Sequence, residues 1–214
     1  SAMMEHDDLN AAVRRVMLGE NKVCGLTREQ DAKAAYEAGA IYGGLIFVDS
    51  SPRAVSEDQA RTVIAAAPLS YVGVFRNADI ADVAAKAEAL SLSAVQLHGN
   101  EDQAYIDALR AALAPRVQIW KAQSVGDTLP ARNLNHVDKY VLDNGQGGSG
   151  QRFDWSLLKD EALDNVLLAG GLSPDNCVEA AKAGCAGLDF NSGVESQPGI
   201  KDASKLASVF KTLR

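Results

Sequence analysis

Eight short apolar runs, each followed by a segment of helical spacing or a loop in its place, constrain this chain more than any other feature of its sequence. The runs fall at residues 22–25, 41–48, 71–75, 94–97, 117–121, 139–142, 166–169 and 187–190. Helices are predicted between and after them at 28–38, 56–67, 79–90, 101–113, 153–158, 174–183 and 202–213. Residues 124–136, with Gly126 and Pro130, read as a loop or one poor turn. Strand–helix alternation implies parallel strands, and strands that are apolar almost throughout imply a covered sheet. Eight units favour closure into a (β/α)8 TIM barrel with a degraded fifth helix and an extra N-terminal helical segment. An open doubly wound sheet is the alternative, but its Gly-x-Gly-x-x-Gly fingerprint after the first strand is missing.

The last two strands end alike. Val166-Leu167-Leu168-Ala169-Gly170-Gly171-Leu172-Ser173-Pro174-Asp175-Asn176 and Gly187-Leu188-Asp189-Phe190-Asn191-Ser192-Gly193-Val194-Glu195 both begin apolar and break into glycine and small polar residues. Each then leads toward a helix. Glycine lets a ligand approach the backbone, and a helix start offers free N–H groups at the positive end of its dipole. Two such units in succession suit a phosphate, which barrels often hold on the loops after strands seven and eight.

At 214 residues the chain suits one domain with a sizeable core, and 47% apolar with 23% charged residues is ordinary for a globular protein. A net charge of −7 argues against nucleic acid or a membrane surface as partner. Cys24, Cys177 and Cys185 form neither a disulfide framework nor a zinc-ligand spacing, which suits a reducing, cytoplasmic setting. The apolar runs are too short to span a bilayer. Ser1-Ala2-Met3 reads as an expression scar. In residues 6–19, Leu9, Val13, Val16 and Met17 recur at helical spacing, with Asp7 and Asp8 in front and Arg14 and Arg15 behind. Residues 1–20 are therefore expected to be a scar plus the tail of a preceding domain, and 21–214 the barrel. An ordinary cap helix on the barrel floor is the alternative for that segment.

In a barrel, polar residues at strand C-termini face the active site. Here these are Cys24, Gln96, His98, Asp143 and Asp189, with Arg53 a few residues past the second strand. A buried thiol is ordinarily packing, the role expected for Cys177 and Cys185. Cys24 instead ends a strand beside polar groups, where a lowered pKa would make it a base or nucleophile. Asp143 suits a turn before Asn144-Gly145, or a carboxyl raised by burial so that it donates a proton. Asp189 interrupts an apolar strand; accepting hydrogen bonds from loop amides is the role expected slightly ahead of direct catalysis. Pro52 stiffens the loop that carries Arg53, favouring a fixed guanidinium and an anionic partner. The glycine-rich residues 144–150 suit a mobile lid. No metal constellation and no nicotinamide or flavin fingerprint is present. Unaided, the residues point to a barrel enzyme for a phosphorylated small molecule that moves protons with a thiol and a carboxyl.

Five motifs, in order from residue 21 onward, extend this reading: Lys22-Val23-Cys24-Gly25-Leu26-Thr27, Gln96-Leu97-His98-Gly99, Leu142-Asp143, Ala169-Gly170-Gly171-Leu172 and residues 189–195. Together they resemble the phosphoribosylanthranilate isomerases of tryptophan biosynthesis. The N-terminal segment resembles the junction of the bifunctional form, in which indole-3-glycerol-phosphate synthase precedes the isomerase. The resemblance implies an Amadori rearrangement of N-(5-phosphoribosyl)anthranilate to 1-(2-carboxyphenylamino)-1-deoxyribulose 5-phosphate. It implies Asp143 as general acid, Cys24 as general base and no cofactor. It also implies Arg53 on the anthranilate carboxylate, and Gly170, Gly171, Ser192 and Gly193 around the phosphate. Gln96, His98, Asp189 and Asn191 complete the expected substrate site. Asn191 stands where many relatives carry a small hydroxyl residue, so a backbone contact is expected there. The excised barrel is expected to fold alone and to be monomeric.

Three other readings make different demands. A ribulose-phosphate epimerase wants metal-binding histidines at strand ends, and His98 is the well-placed one. The synthase wants strand-end lysines and glutamates; Lys121 ends the predicted fifth strand without accompanying glutamates. A phosphate-binding barrel without catalysis predicts loss of acid or base, yet Cys24 and Asp143 are both present.

Overall fold

The computed structural model of the chain describes residues 12–17, 19–145 and 152–214. Eight parallel strands close into a barrel in sequence order: β1 (Lys22–Val23), β2 (Tyr42–Ile46), β3 (Ser70–Phe75), β4 (Ala94–Leu97), β5 (Gln118–Ser124), β6 (Lys139–Asp143), β7 (Val166–Leu168) and β8 (Gly187–Phe190). Closure is made by β1 against β8, with Lys22 beside Asp189 and Val23 beside Phe190.

The period-two alternation of strands divides their residues between two cores. Val23, Leu45, Leu97, Leu142, Leu168 and Phe190 face outward and pack under the helices. Tyr42, Val72, Ala94, Trp120, Val141 and Leu167 fill the barrel interior, where the Tyr42 and Trp120 rings meet edge to face at 4.8 Å. Above them lies a smaller group of Cys24, Ile46 and Val74. The inward positions near the strand C-termini are thus where polar side chains replace apolar ones, and Lys22, Gln96, Asp143 and Asp189 are all buried there.

The outer helices are α1 (Glu29–Ala38), α2 (Glu57–Ala66), α3 (Ile80–Ala89), α4 (Gln103–Ala112), α5 (Cys177–Ala181) and α6 (Ala203–Thr212). Their ends follow local chemistry. Ser56 accepts a hydrogen bond from the Gln59 amide, Asp102 from Tyr105, and Asp202 from Ser204 and Lys205; each such cap is worth about 1 kcal/mol. Gly39 ends α1 at φ 124°, a conformation that costs a side chain dearly. Between β5 and β6 no helix occurs, as the Gly126 and Pro130 positions suggest.

Several boundaries differ from the sequence expectation, each for a physical reason. β1 stops at Val23 because Gly25 turns the chain at φ 72°. β5 runs on to Ser124, since Gln123 and Ser124 still pair with Leu142 and Asp143. Residues 153–158 yield a 3-10 turn, Trp155–Leu158, capped by Asp154. α5 shrinks because the Asn176 side chain accepts from the Ser173 amide and donates to the Gly171 carbonyl, holding residues 171–176 as a turn. After β8 comes a 3-10 turn, Ser192–Val194, and then a hairpin of β9 (Glu195–Gln197) and β10 (Ile200–Lys201) that precedes α6. The closing helix lies where it was expected, at 203–212 within the predicted 202–213, while the hairpin between it and β8 was not foreseen.

Residues 12–17 are helical, but their apolar stripe does not dock. Val13, Val16 and Met17 are 49%, 88% and 75% exposed. Contacts with the barrel are made by the two arginines: the Arg14 guanidinium lies 4.1 Å from the Tyr36 ring centroid and donates to the Tyr36 carbonyl at 2.6 Å, and the Arg15 guanidinium lies 5.7 Å from the Tyr42 ring centroid. Residues 1–11, and 146–150 of the expected lid, lie outside the described residues.

Candidate active site

A cleft opens at the C-terminal end of the barrel. Cys24, Gln96, His98, Asp143, Gly170, Gly171, Asp189, Asn191, Ser192 and Gly193 all line it. Ten of the expected residues therefore converge from β1, β4, β6, β7 and β8.

On the β7–β8 side the lining is backbone. Gly170 and Gly171 adopt φ 88° and 66°, turning the chain away from the barrel. A Cβ at Gly193 would collide with the Leu172 carbonyl oxygen, so the loops after β7 and β8 touch backbone to backbone. The amides of Gly171, Ser192 and Gly193 donate to no backbone carbonyl of a described residue. Free amides facing a cleft are donors for an anion. The Asn191 side chain is already engaged: its Oδ1 accepts from Lys201 Nζ at 3.0 Å.

On the opposite side the lining is side chain. Asp143 is buried; its Oδ1 accepts from the Gly145 amide at 2.7 Å and its Oδ2 lies 3.4 Å from His98 Nε2. It thus holds its own turn and keeps one oxygen toward the cleft. His98 in turn lies 3.4 Å from the Gln96 amide nitrogen through Nδ1. Cys24 is buried against Gly44, where an added Cβ would lie 2.6 Å from the sulfur, so a glycine makes room for the thiol. Burial pushes the Cys24 thiol up, Lys22 and Lys201 pull it back, and Asp189 adds to the rise.

Asp189 is not held by loop amides, the role expected for it. Its Oδ2 accepts from Lys22 Nζ at 2.7 Å, while its buried Oδ1 has no partner among the described residues. Lys22 is fully buried and also donates to Gln96 Oε1 at 3.1 Å.

Arg53 does not line the cleft. Its guanidinium forks onto Glu195, with Nε–Oε1 at 2.9 Å and Nη2–Oε2 at 2.8 Å, and its stem crosses Gly25, where a Cβ would meet Arg53 Cδ at 2.8 Å. Lys201 Nζ donates to the same carboxylate at 2.8 Å. Burial alone would raise Glu195, but its bonds to Arg53 and Lys201 outweigh that and hold it below the ordinary carboxylate range. The preorganised Arg53 expected from Pro52 is present, but its fixed partner is Glu195. Lys121 takes no part in the cleft's lining. It shares the outward side of β5 and pairs with Glu101 at 3.0 Å.

Lys22, Glu195 and Lys201 are the charged residues that sequence reasoning did not single out. The signal for Lys22 was its place two residues before Cys24 in an apolar strand, which turns both side chains to the same face. Glu195 and Lys201 gave none, because they meet through the unforeseen hairpin. No group of three or more His, Cys, Asp or Glu side chains placed to hold a metal occurs among the described residues.

A closed eight-stranded parallel barrel, with a glycine-rich wall and an inward thiol and carboxyl lining one cleft at the C-terminal ends of its strands, places the chain in the class of (β/α)8 barrels with the layout of an enzyme. Residues 21–212 match the sequence model of the family described as N-(5'-phosphoribosyl)anthranilate (PRA) isomerase, and the chain belongs to that family. It is 78% identical over all of its 214 residues to the tryptophan biosynthesis protein TrpCF of Salmonella typhi, and 71% identical to that of Yersinia pestis. It covers 47% and 45% of those proteins, so the chain spans about half the length of the curated relatives it matches. Among solved structures, the phosphoribosyl anthranilate isomerase of Thermus thermophilus aligns with a TM-score of 0.79 at 32% identity, over 91% of this chain and 100% of that one. An isomerase complexed with reduced 1-(o-carboxyphenylamino)-1-deoxyribulose 5-phosphate aligns at 0.75 and 30% identity, over 91% and 98%. Within the described residues no helix is long and apolar enough to cross a membrane.

Proposed function

We propose that this chain isomerises N-(5-phosphoribosyl)anthranilate by an Amadori rearrangement, with Asp143 as general acid and Cys24 as general base. The observation that carries the reading is the facing arrangement: loop amides after β7 and β8 that bond to no backbone carbonyl of a described residue, with a thiol just after β1 and a carboxyl at the end of β6 in the same cleft. The amides of Gly171, Ser192 and Gly193 hold the phosphate and so fix the sugar. Asp143, in its protonated form, gives its proton to the furanose ring oxygen. The C1–O bond breaks, and the anthranilate nitrogen lone pair forms the C1=N iminium. The Cys24 thiolate then removes the proton from C2, and the C2–H electron pair becomes the C1=C2 bond of an enolamine. Ketonisation of the enolamine gives the ketose. The iminium is the electron sink, so the proton transfers balance without a redox partner.

Strands β1 and β6 are separated by β7 and β8 around the barrel, which suits acid and base acting at different atoms of one sugar ring. Asp189 lines the cleft, and its Oδ1, buried and without a partner among the described residues, is an acceptor available to a sugar hydroxyl that reaches it. Arg53, outside the cleft's lining and anchored on Glu195 in the free enzyme, reaches the anthranilate carboxylate by moving toward the ligand when substrate binds. In the full-length protein this barrel follows an indole-3-glycerol-phosphate synthase domain, a reading supported by relatives about twice its length. Three free cysteines suit the reducing cytoplasm.

The test is loss of anthranilate-type fluorescence when substrate is generated in place from anthranilate and phosphoribosyl pyrophosphate by a coupling transferase. Rapid loss with the wild-type chain, slowed by roughly 10²–10⁴-fold in Asp143→Asn, is the expected result. Undiminished turnover in Asp143→Asn would remove it as the acid.

A further inference from the structure

We propose that the buried Lys22 ammonium, acting through the side-chain amide of Gln96, fixes His98 in the tautomer whose proton sits on Nε2, and that His98 so fixed is a positioning residue for Asp143. The inference rests on Asp143 being the acid and deepens that reading, because it names what keeps the acid's proton for the sugar.

A chain of side chains crosses the barrel from β1 to β6. Lys22 is 0% exposed, with Nζ 2.7 Å from Asp189 Oδ2 and 3.1 Å from Gln96 Oε1. Gln96 and His98 are two residues apart around the end of β4, so both side chains point the same way. Gln96 Nε2 lies 3.4 Å from His98 Nδ1. His98 Nε2 lies 3.4 Å from Asp143 Oδ2, and the Gly145 amide donates to Asp143 Oδ1 at 2.7 Å. Hydrogen bonds at catalytic groups are often this long before substrate binds and tighten in the complex.

Donors and acceptors along the chain leave one assignment. An ammonium only donates, so the Gln96 atom that meets Lys22 is its oxygen. The Gln96 NH2 is then turned to His98, and it too only donates. Nδ1 must therefore accept, and a neutral imidazole that accepts at Nδ1 carries its proton on Nε2. Turning the ring over would put carbon against both Gln96 and Asp143. Burial does not make the choice: the His98 side chain is 41% exposed, and water accommodates either tautomer. Arg76 and Lys121, the cations that line the neighbouring cleft with His98, offer it no acceptor, and Lys121 is committed to Glu101 and the Gly99 carbonyl.

The tautomer matters because Asp143 must hand a proton to the furanose oxygen. A bare Nε2 would accept that proton and withdraw it from the sugar. A protonated Nε2 cannot; it donates to Oδ2 and leaves the acid's O–H to the substrate. Its bond strengthens as the carboxylate forms, since hydrogen bonds to charged groups are the stronger ones, so it favours the transition state over the ground state. His98 itself moves no proton. Lys22 has a task beyond pairing with Asp189: it keeps Gln96 from turning its oxygen to His98.

The experiment reads the tautomer directly. Long-range proton–nitrogen correlation spectra of histidine-labelled protein at about pH 8 report which nitrogen of each neutral ring carries the proton, and His98→Gln identifies the His98 signals. Wild type should show His98 protonated on Nε2 and bare at Nδ1. Gln96→Glu gives Nδ1 an acceptor in place of a donor, with Lys22 beside the new charge, and should move the His98 proton onto Nδ1. Its kcat should fall about 10–100-fold. Gln96→Met adds no charge and serves if Gln96→Glu does not fold; there His98 should show both tautomers, with kcat down about tenfold. His98→Gln, whose amide still donates near the Nε2 position, should keep kcat within about fivefold, whereas His98→Leu should lose about 10–100-fold. A wild-type His98 bare at Nε2, or a tautomer unchanged in whichever Gln96 variant folds, would overturn the proposal. Equal losses in His98→Gln and His98→Leu would overturn the positioning role. Full turnover in Asp143→Asn alongside the expected tautomer would instead refute the acid assignment and leave the Lys22–Gln96–His98 lock standing.

Discussion

On the β7–β8 side the cleft is lined largely by glycines and loop backbone; on the β1–β4–β6 side it is lined by Cys24, Gln96, His98 and Asp143. The backbone side has little chemistry to lose by side-chain substitution but tolerates no added volume, because the loops touch where Gly193 meets Leu172. The side-chain side is the reverse: in the proposed mechanism its atoms are the reagents, and buried charges lie beside them. Recognition by backbone needs shape. Reaction by side chains needs charge placed against burial.

Four substitutions test that division, from the largest expected effect to the smallest. Cys24→Ser should lower kcat by about 10³-fold with KM nearly unchanged, since a serine hydroxyl is a far weaker acid than a thiol and the phosphate cup is untouched. A rise in KM of the same size would mean that the two sides are not separable. Gly193→Ala should do the opposite. Overpacking of a backbone contact costs about 1–3 kcal/mol, so KM and the inhibition constant for inorganic phosphate should rise roughly 10–100-fold with kcat within a few-fold. Steady-state kinetics on both variants measures the split.

Glu195→Gln sits between the two sides, because it frees the fork of Arg53. KM should rise about tenfold as the guanidinium loses its fixed position. The same variant has a signature in pH. A carboxyl held below its unfolded value adds stability that is present above the unfolded pKa and lost as pH falls through the folded one. For Glu195 that loss lies on the acid side of its ordinary value of 4.5. The wild-type melting temperature should therefore fall more steeply than that of Glu195→Gln as pH drops below about 4.5, and thermal melts at pH 3 to 6 would expose a matching slope as contrary. Ser192→Ala is the mildest. Losing one hydroxyl contact while the amide remains should raise KM by about fivefold, in line with roughly 1 kcal/mol for a hydrogen bond.

The strands and most helices were legible because their signals are local. A period of two, a period of 3.6, a Ser56 cap and a Gly39 stop all lie within a few residues of what they govern. The elements that departed are those in which a non-local or side-chain contact competes with propensity. α5 lost its first turn to Asn176, and β5 was extended by pairing with β6. The leading segment 12–17 shows the same limit: its helical spacing was readable, but an exposed apolar stripe docked by Arg14 and Arg15 was not.

The site divides in the same way. Cys24, Asp143, the glycines of 170 and 171 and the Ser192-Gly193 step could be read as strand-end residues of reactive or permissive type, because residue type and position along a strand are properties of the sequence. Partners are not. Lys22 meets Asp189 across 167 residues and Arg53 meets Glu195 across 142, through closure of β1 on β8 and a hairpin that no local pattern announced. The sequence by itself determined which groups arrive at the mouth of the barrel. The tertiary structure decided which charge lies against which, because Coulomb energy and desolvation depend on distance and burial in space and not on separation along the chain.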